Sequence, residues 1–300
     1  MNKTGVNQLS FKHFTKSVAA CIELGKPQIT IPVSLSTLTG YILYQGSFTP
    51  GWTQTVAGVF LMSFASSAIN HVQDAGIDKL MERTRKRPIP SGRLSSSQSL
   101  IIASITGLLG LAILLHLPGN SLPASLSLIT LICYNLIYTP LKRVTAFAVI
   151  PGAMVGALPP LIGWVAAGGH IFHPHILFVG FFFFVGQIPH FWLILLKYDK
   201  DYAAAGIPTL LQLFSTPQIQ RLTLVWVAVT AMAALLLVIA GVLMTSIAHI
   251  LILVLTLIIV GSFRSWLKAE IPQNPHSAFM RINMFYLAIM LVIITDALIR

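Results

Sequence analysis

Charge is scarce in this 300-residue chain: Asp, Glu, Lys and Arg together make up 9% of it. A soluble domain carries about 25%, so the chain lacks the polar groups needed to cover a water-facing surface. Cysteine is scarcer still. The only two, Cys21 and Cys133, exclude a disulfide framework and a cysteine-based zinc site. Acid is short relative to base, with 8 Asp and Glu against 19 Lys and Arg for a net charge of +11. That excess does not point to nucleic acid, because the basic residues fall between long apolar runs. The first 28 residues also lack the apolar core of a cleaved signal peptide.

What is abundant is apolar sequence, at 55% hydrophobic residues and a mean hydropathy of +0.81. A membrane-spanning helix needs about 20 such residues, and the chain reads as an all-α polytopic membrane protein with nine spans. The first five are Ile29–Tyr44, Trp52–Asn70, Leu100–Leu117, Leu122–Tyr138 and Thr145–Ala167. The others are Ile176–Leu196, Leu222–Met244, Ile247–Trp266 and Ile282–Leu298, with a break at Thr245-Ser246 inside a run too long for one crossing. Residues 1–28 form a cytoplasmic segment, and 29–300 a single intramembrane domain. Phe11, Phe14, Val18 and Ile22 recur at helical spacing with Lys12 and Lys16 on other faces, which predicts a helix lying on the membrane surface.

With the N-terminus inside, 18 of the 19 Lys and Arg residues fall on the cytoplasmic side and only Arg300 outside. This obeys the positive-inside rule. The outer loops are short and uncharged, so function is expected at the cytoplasmic ends of the helices.

Two acidic clusters lie there. Asn70, Asp74 and Asp78 are spaced i, i+4, i+8, which places them on one face if the second helix continues inward. Two carboxylates and an amide make a half-site for Mg²⁺, which completes its shell with water and substrate phosphates. Arg83, Arg85, Lys86 and Arg87 follow, cations suited to a phosphate-bearing ligand. Ser95-Ser96-Ser97 offers caps for the next helix. The second cluster holds Asp199 and Asp201 at the end of the sixth span. His190 lies within that span, where an ionisable residue is a functional candidate; the alternative is a neutral histidine bonded to helix backbone. His170, His173 and His175 lack acidic co-ligands and read as an interfacial loop. The Phe181–Phe184 run and Trp192 read as packing or lipid-facing groups.

The pattern Asn70-xxx-Asp74-xxx-Asp78, followed by Met81-Glu82-Arg83-Thr84-Arg85-Lys86-Arg87-Pro88, resembles the first signature of the UbiA superfamily of intramembrane prenyltransferases. Within that superfamily, further strings resemble the branch that farnesylates protohaem IX. They are Tyr138-Thr139-Pro140-Leu141-Lys142-Arg143, Pro159-Pro160-Leu161-Ile162-Gly163-Trp164, Pro189-His190-Phe191-Trp192 and Asp201-Tyr202-Ala203-Ala204-Ala205-Gly206-Ile207-Pro208. Gly25-Lys26-Pro27 also matches, while Gly76 and Ala148 stand where that branch usually has aspartate and asparagine.

The resemblance implies nine helices around a central cavity, and farnesyl transfer from farnesyl diphosphate to a vinyl group of haem b. It implies Asn70, Asp74, Asp78, Asp199 and Asp201 as the catalytic set, with Mg²⁺ on Asp74, Asp78 and Asp201. Arg83, Arg87, Lys142 and Arg143 would take the diphosphate, and His190 and Tyr202 the acceptor. The bilayer and haem-processing or oxidase-assembly proteins are the implied partners, and the bacterial cytoplasmic membrane the implied location. The alternatives are a UbiA-type enzyme acting on an aromatic or quinone precursor, and a transporter.

Overall fold

The computed structural model describes residues 17–119, 121–267 and 274–300. Phe11, Phe14, Lys12 and Lys16 of the expected surface helix lie outside them. Residues 17–24 are helical. Val18 and Ile22 point outward, as their spacing predicts, while Ala20 and Leu24 are fully buried against Ala68, Leu94 and Ala103.

Among the described residues there are helices and turns and no strands. The long helices are α1 (Pro27–Gln45), α2 (Gly51–Asp78), α3 (Ser96–Leu115), α4 (Leu122–Ile132), α5 (Val149–Ala166) and α6 (Pro174–Lys197). After the short α7 (Asp199–Ala204) come α8 (Thr216–Ile239), α9 (Ser246–Ser262) and α10 (Pro275–Ile299). Eight helices, counting α4 with its continuation to Leu141, are long and apolar enough to cross a membrane. The sequence reading had nine, and α1 makes the difference. It carries five buried hydroxyl residues, Thr30, Ser34, Ser36, Thr37 and Thr39, which lower its hydropathy. Most of these hydroxyls donate to carbonyls of the preceding turn, as in Ser34 Oγ to Thr30 O at 2.9 Å and Thr39 Oγ1 to Leu35 O at 2.9 Å. That bonding lets α1 pack among α2, α5 and α10 without orphaned polar groups.

The α1–α5 contact explains part of the Pro-Pro-Leu-Ile-Gly-Trp string. A Cβ at Gly163 would sit 1.8 Å from the Thr37 carbonyl oxygen, and one at Gly40 would sit 1.8 Å from that of Pro160. Backbone meets backbone at both points, so no flexible side chain can yield. Gly163→Ala is therefore expected to lower stability by about 1–3 kcal/mol or more, read as a drop in thermal midpoint in detergent. An unchanged midpoint would contradict the close approach.

The polar rim is built from helix ends. α2 runs on to Asp78, eight residues beyond the apolar stretch, with Asn70, Asp74 and Asp78 buried on its polar face. The chain then folds back over that end: Thr84 Oγ1 donates to Asp78 O at 3.0 Å, and Leu94 N to Pro88 O at 3.0 Å. Ser95 caps α3 in a reciprocal box with Gln98. At the opposite end, Thr245 caps α9 after a Gly241 of positive φ, at the break read from the sequence.

Between Cys133 and Tyr138 the fourth helix widens into a π turn, then resumes at Thr139–Leu141. Pro140 has no N–H to give to the α-helical ladder, and the Thr139 N–H bonds the Tyr134 carbonyl instead. Side chains of α2 take up what the turn frees. Gln73 Nε2 donates to Asn135 O at 2.9 Å, and Asn135 Nδ2 donates to Ser66 Oγ at 2.7 Å.

Candidate active site

Asn70, Asp74 and Asp78 share one face of α2, as their spacing predicted, and are 2%, 4% and 1% exposed. They open onto a cavity that Lys26, Arg83, Arg87, Lys142 and Tyr202 also line. Its wall is also aromatic and apolar in part, with Tyr134, Tyr138, Ala148, Val149, Phe191 and Ile194. Tyr134 and Tyr138 stack at 5.4 Å, and Phe191 lies 5.6 Å from Tyr138. A lining that combines cations with aromatic and apolar groups suits a ligand with an anionic head and a hydrocarbon tail.

Each carboxylate has a cation. Asp74 Oδ2 accepts from Lys142 Nζ and from Asn70 Nδ2, while Oδ1 accepts from Arg143 Nη2 at 3.2 Å. Arg87 Nη1 lies 2.9 Å from both oxygens of Asp78. Arg143 holds Asp74 from outside and does not line the cavity.

Lys26 was not among the candidates read from the sequence. Its Nζ donates to Asn70 Oδ1 at 2.5 Å across a separation of 44 residues. Among the described residues it is the only non-glycine with positive φ, at 46°. Pro27 disfavours the right-handed helical region for the residue before it, and the left-handed turn brings Lys26 to the cavity at some strain. Burial, and then the nearby Arg87 and Lys142 charges, bring its ammonium down to about 7. Burial also lowers the pKa of Lys142, with Asp74 opposing. The available signal was Gly25-Lys26-Pro27; a Cβ at Gly25 would fall 2.2 Å from the Phe64 ring.

The second acidic cluster does not converge on the first. Asp201 accepts from the backbone N–H groups of Glu82 and Arg83 at 3.2 and 3.3 Å, and Asp199 from Thr209 Oγ1 at 3.2 Å. Neither lines the cavity; Asp201 fastens the loop that carries Arg83. Arg83 in turn lies 4.4 Å above the Tyr198 ring. His190 is also outside the cavity lining. Its ring lies 4.6 Å from Phe279 of α10, while the next residue, Phe191, faces the cavity. His173 and His175 sit 4.7 Å apart at the other end of the bundle, and among the described residues no three His, Cys, Asp or Glu converge as a metal site. Asp74 and Asp78 nevertheless suit Mg²⁺ as a half-site: they are hard oxygen donors one turn apart, facing a space where water and phosphate oxygens would complete the shell.

Residues 33–289 match the profile of the UbiA prenyltransferase family. The chain belongs to that family. The protoheme IX farnesyltransferase of Oleidesulfovibrio alaskensis is 41% identical over 176 residues, 59% of this chain and 62% of that protein. The match thus spans less than two thirds of that relative. Protoheme IX farnesyltransferase 2 of a Shewanella species is 35% identical over 236 residues, 77% of each chain. Among solved structures, digeranylgeranylglyceryl phosphate synthase superposes with a TM-score of 0.75 at 16% identity, covering 94% of this chain and 99% of the other. A UbiA homologue from Archaeoglobus fulgidus bound to GPP and Mg²⁺ gives 0.63 at 16% identity, covering 91% and 99%. These likenesses establish the UbiA fold, in an integral membrane protein.

Proposed function

We propose that this chain transfers a farnesyl group from farnesyl diphosphate to a vinyl group of haem b, giving haem O. One observation carries the reading: a single cavity brings the cations around Asp74 and Asp78 together with aromatic and apolar side chains. The names of the 35–41% identical relatives support farnesyl and protohaem IX as the two partners. The Archaeoglobus homologue with GPP and Mg²⁺ supports a prenyl diphosphate and magnesium in this cavity.

In this reading Lys26, Arg83, Arg87 and Lys142 bind the diphosphate, with Asp74 and Asp78 holding Mg²⁺. The metal supplies Lewis-acid stabilisation of the departing diphosphate. The cations stabilise the same developing charge as the carbon–oxygen bond breaks and its electron pair leaves with the diphosphate. Tyr134, Tyr138 and Phe191 exclude water from the allylic cation and offer it ring faces. The vinyl terminus attacks that cation. Water then adds at the carbon beside the macrocycle and loses a proton, leaving the hydroxyl of the product. Tyr202, in the cavity lining, is the residue placed to meet the acceptor. Asp201 acts by holding the loop that carries Arg83, Arg143 by holding Asp74 on α2, and Asp199 by holding Thr209 next to the cavity-lining Ile207 and Pro208.

Incubating the purified protein with haem b, farnesyl diphosphate and Mg²⁺ is expected to yield a porphyrin heavier by one farnesol equivalent, C15H26O. Unmodified haem b with intact diphosphate consumption in the presence of an aromatic acid or quinone precursor would reassign the acceptor.

We also place the site on the cytoplasmic face of a bacterial inner membrane, with the N-terminus inside. In a cysteine-free background, Ser91→Cys and Gln212→Cys, both at exposed positions, should react with an impermeant thiol reagent only after permeabilisation. Phe172→Cys, 73% exposed, should react in intact cells. Labelling of positions 91 and 212 from opposite sides would overturn this topology.

A further inference from the structure

The cavity's acidic residues are not free to receive a cation. Asp74 is held by Lys142, Arg143 and Asn70, and Asp78 by both of its contacts to Arg87. Four cations line the cavity, Lys26, Arg83, Arg87 and Lys142, against these two carboxylates. A dication arriving alone meets a positive field and oxygens that already have counter-charges. A diphosphate arriving alone meets the opposite situation. The carboxylates are fixed on α2 and buried, whereas Lys142 and Arg87 keep 20% and 22% of their side chains exposed. Their long stems give them room to turn.

We propose that metal and diphosphate enter this site by partner exchange: Lys142 and Arg87 leave Asp74 and Asp78 for the diphosphate, and the vacated carboxylates take the metal. The inference rests on the diphosphate reading above and adds a role to it. Lys142 and Arg87 are then positioning residues that keep the metal out until the diphosphate is present. A buried carboxylate stripped of its partner is strongly unfavourable, and a hard dication with oxygen affinity relieves that state. Because binding linkage is reciprocal, the metal must strengthen diphosphate binding by the same factor.

A cation that merely touched the diphosphate would leave metal affinity unchanged when removed without diphosphate; a cation that guards a carboxylate would raise it. The test uses Mn²⁺, followed by loss of its free-ion electron paramagnetic resonance signal, on the purified full chain. With no diphosphate added, Arg87→Gln should bind Mn²⁺ at least tenfold more tightly than the parent. Lys142→Gln should do so by a smaller factor, because Arg143 remains on Asp74. Adding Asp78→Asn to Arg87→Gln should abolish the gain. Adding farnesyl thiolodiphosphate, whose carbon–sulfur bond resists ionisation, should tighten Mn²⁺ binding at least tenfold in the parent and less in the variants. Variant affinities equal to the parent's overturn the proposal. So does a parent that binds Mn²⁺ equally well with and without the analogue, a result that needs no variant to fold. If the analogue itself fails to bind the parent in the presence of Mn²⁺, the diphosphate reading falls and this inference falls with it.

Discussion

Asp78→Asn is expected to slow farnesyl transfer about 1,000-fold at saturating substrates while the protein stays folded. Asparagine keeps the size of the side chain and removes only the charge. The backbone contact that folds the loop over α2, Thr84 Oγ1 to Asp78 O, survives the change. What is lost is the partner of Arg87 and, on the proposed reading, a metal ligand; metal stabilisation of a leaving group is worth several kcal/mol. Each 1.36 kcal/mol or so is tenfold in rate, so three orders of magnitude is the natural scale. Asp74→Asn should act in the same direction. Single-turnover rates at limiting Mg²⁺, alongside a thermal midpoint, separate lost chemistry from lost fold. A rate within tenfold of the parent would remove Asp78 from the metal site.

Asp296→Ala should do the reverse, lowering stability by about 3 kcal/mol while leaving turnover of the folded fraction near the parent's. Asp296 is 1% exposed and belongs to the far end of α10, away from the cavity lining. Its carboxylate accepts from Met244 N at 3.1 Å, Thr245 N at 2.9 Å and Thr245 Oγ1 at 2.6 Å. Thr245 Oγ1 also accepts from Ala248 N at 3.2 Å, so one acid anchors the turn that starts α9. Removing it leaves the backbone N–H groups of Met244 and Thr245 without their carboxylate partner. For chains approaching this size the loss corresponds to roughly 6–12 °C in thermal midpoint. A midpoint shift under 2 °C or so would show that water replaces the carboxylate; a folded variant without activity would link this end of α10 to the site.

The helices were legible because a bilayer core imposes a length and an apolar composition that few sequences meet by chance. Most helix bounds agree with the apolar runs to within a few residues, and the larger departures have local causes. α2 continues to Asp78 because its last turns are held by Thr84 and Arg87, neither of them apolar. α8 starts at Thr216, ahead of the apolar run, because Ser215 and Gln218 form a capping box. The Asn70–Asp74–Asp78 face was legible because helical period alone decides it. Lys26 was not, since its contact joins residues far apart in sequence through a left-handed turn. The surroundings of Asp201 were not legible for a related reason: pattern identifies an acid but not the backbone N–H groups of Glu82 and Arg83 that it accepts from. His190 shows the limit of helical rise as a guide. Rise gives depth, but each residue also turns the helix by about 100°. That rotation sends Phe191 to the cavity and His190 to α10.

The π turn at Cys133–Tyr138 sets the phase of everything after it. It adds about one residue to a turn relative to an α-helix, and so fixes the azimuth at which Lys142 and Arg143 leave the fourth helix. Deleting a single residue within it would let the helix close as a plain α-helix with the downstream stretch at nearly the same azimuth, whereas closing to a plain α-helix at unchanged length would rotate that stretch by about 100°. Asp74 would then lose both basic partners at once, although neither had been mutated. A substitution that restores the α-helical ladder at unchanged length, such as Pro140→Ala, should therefore disturb the partners of Asp74 more than loss of one residue from 133–138, so this segment is constrained by its bonding pattern more than by its length.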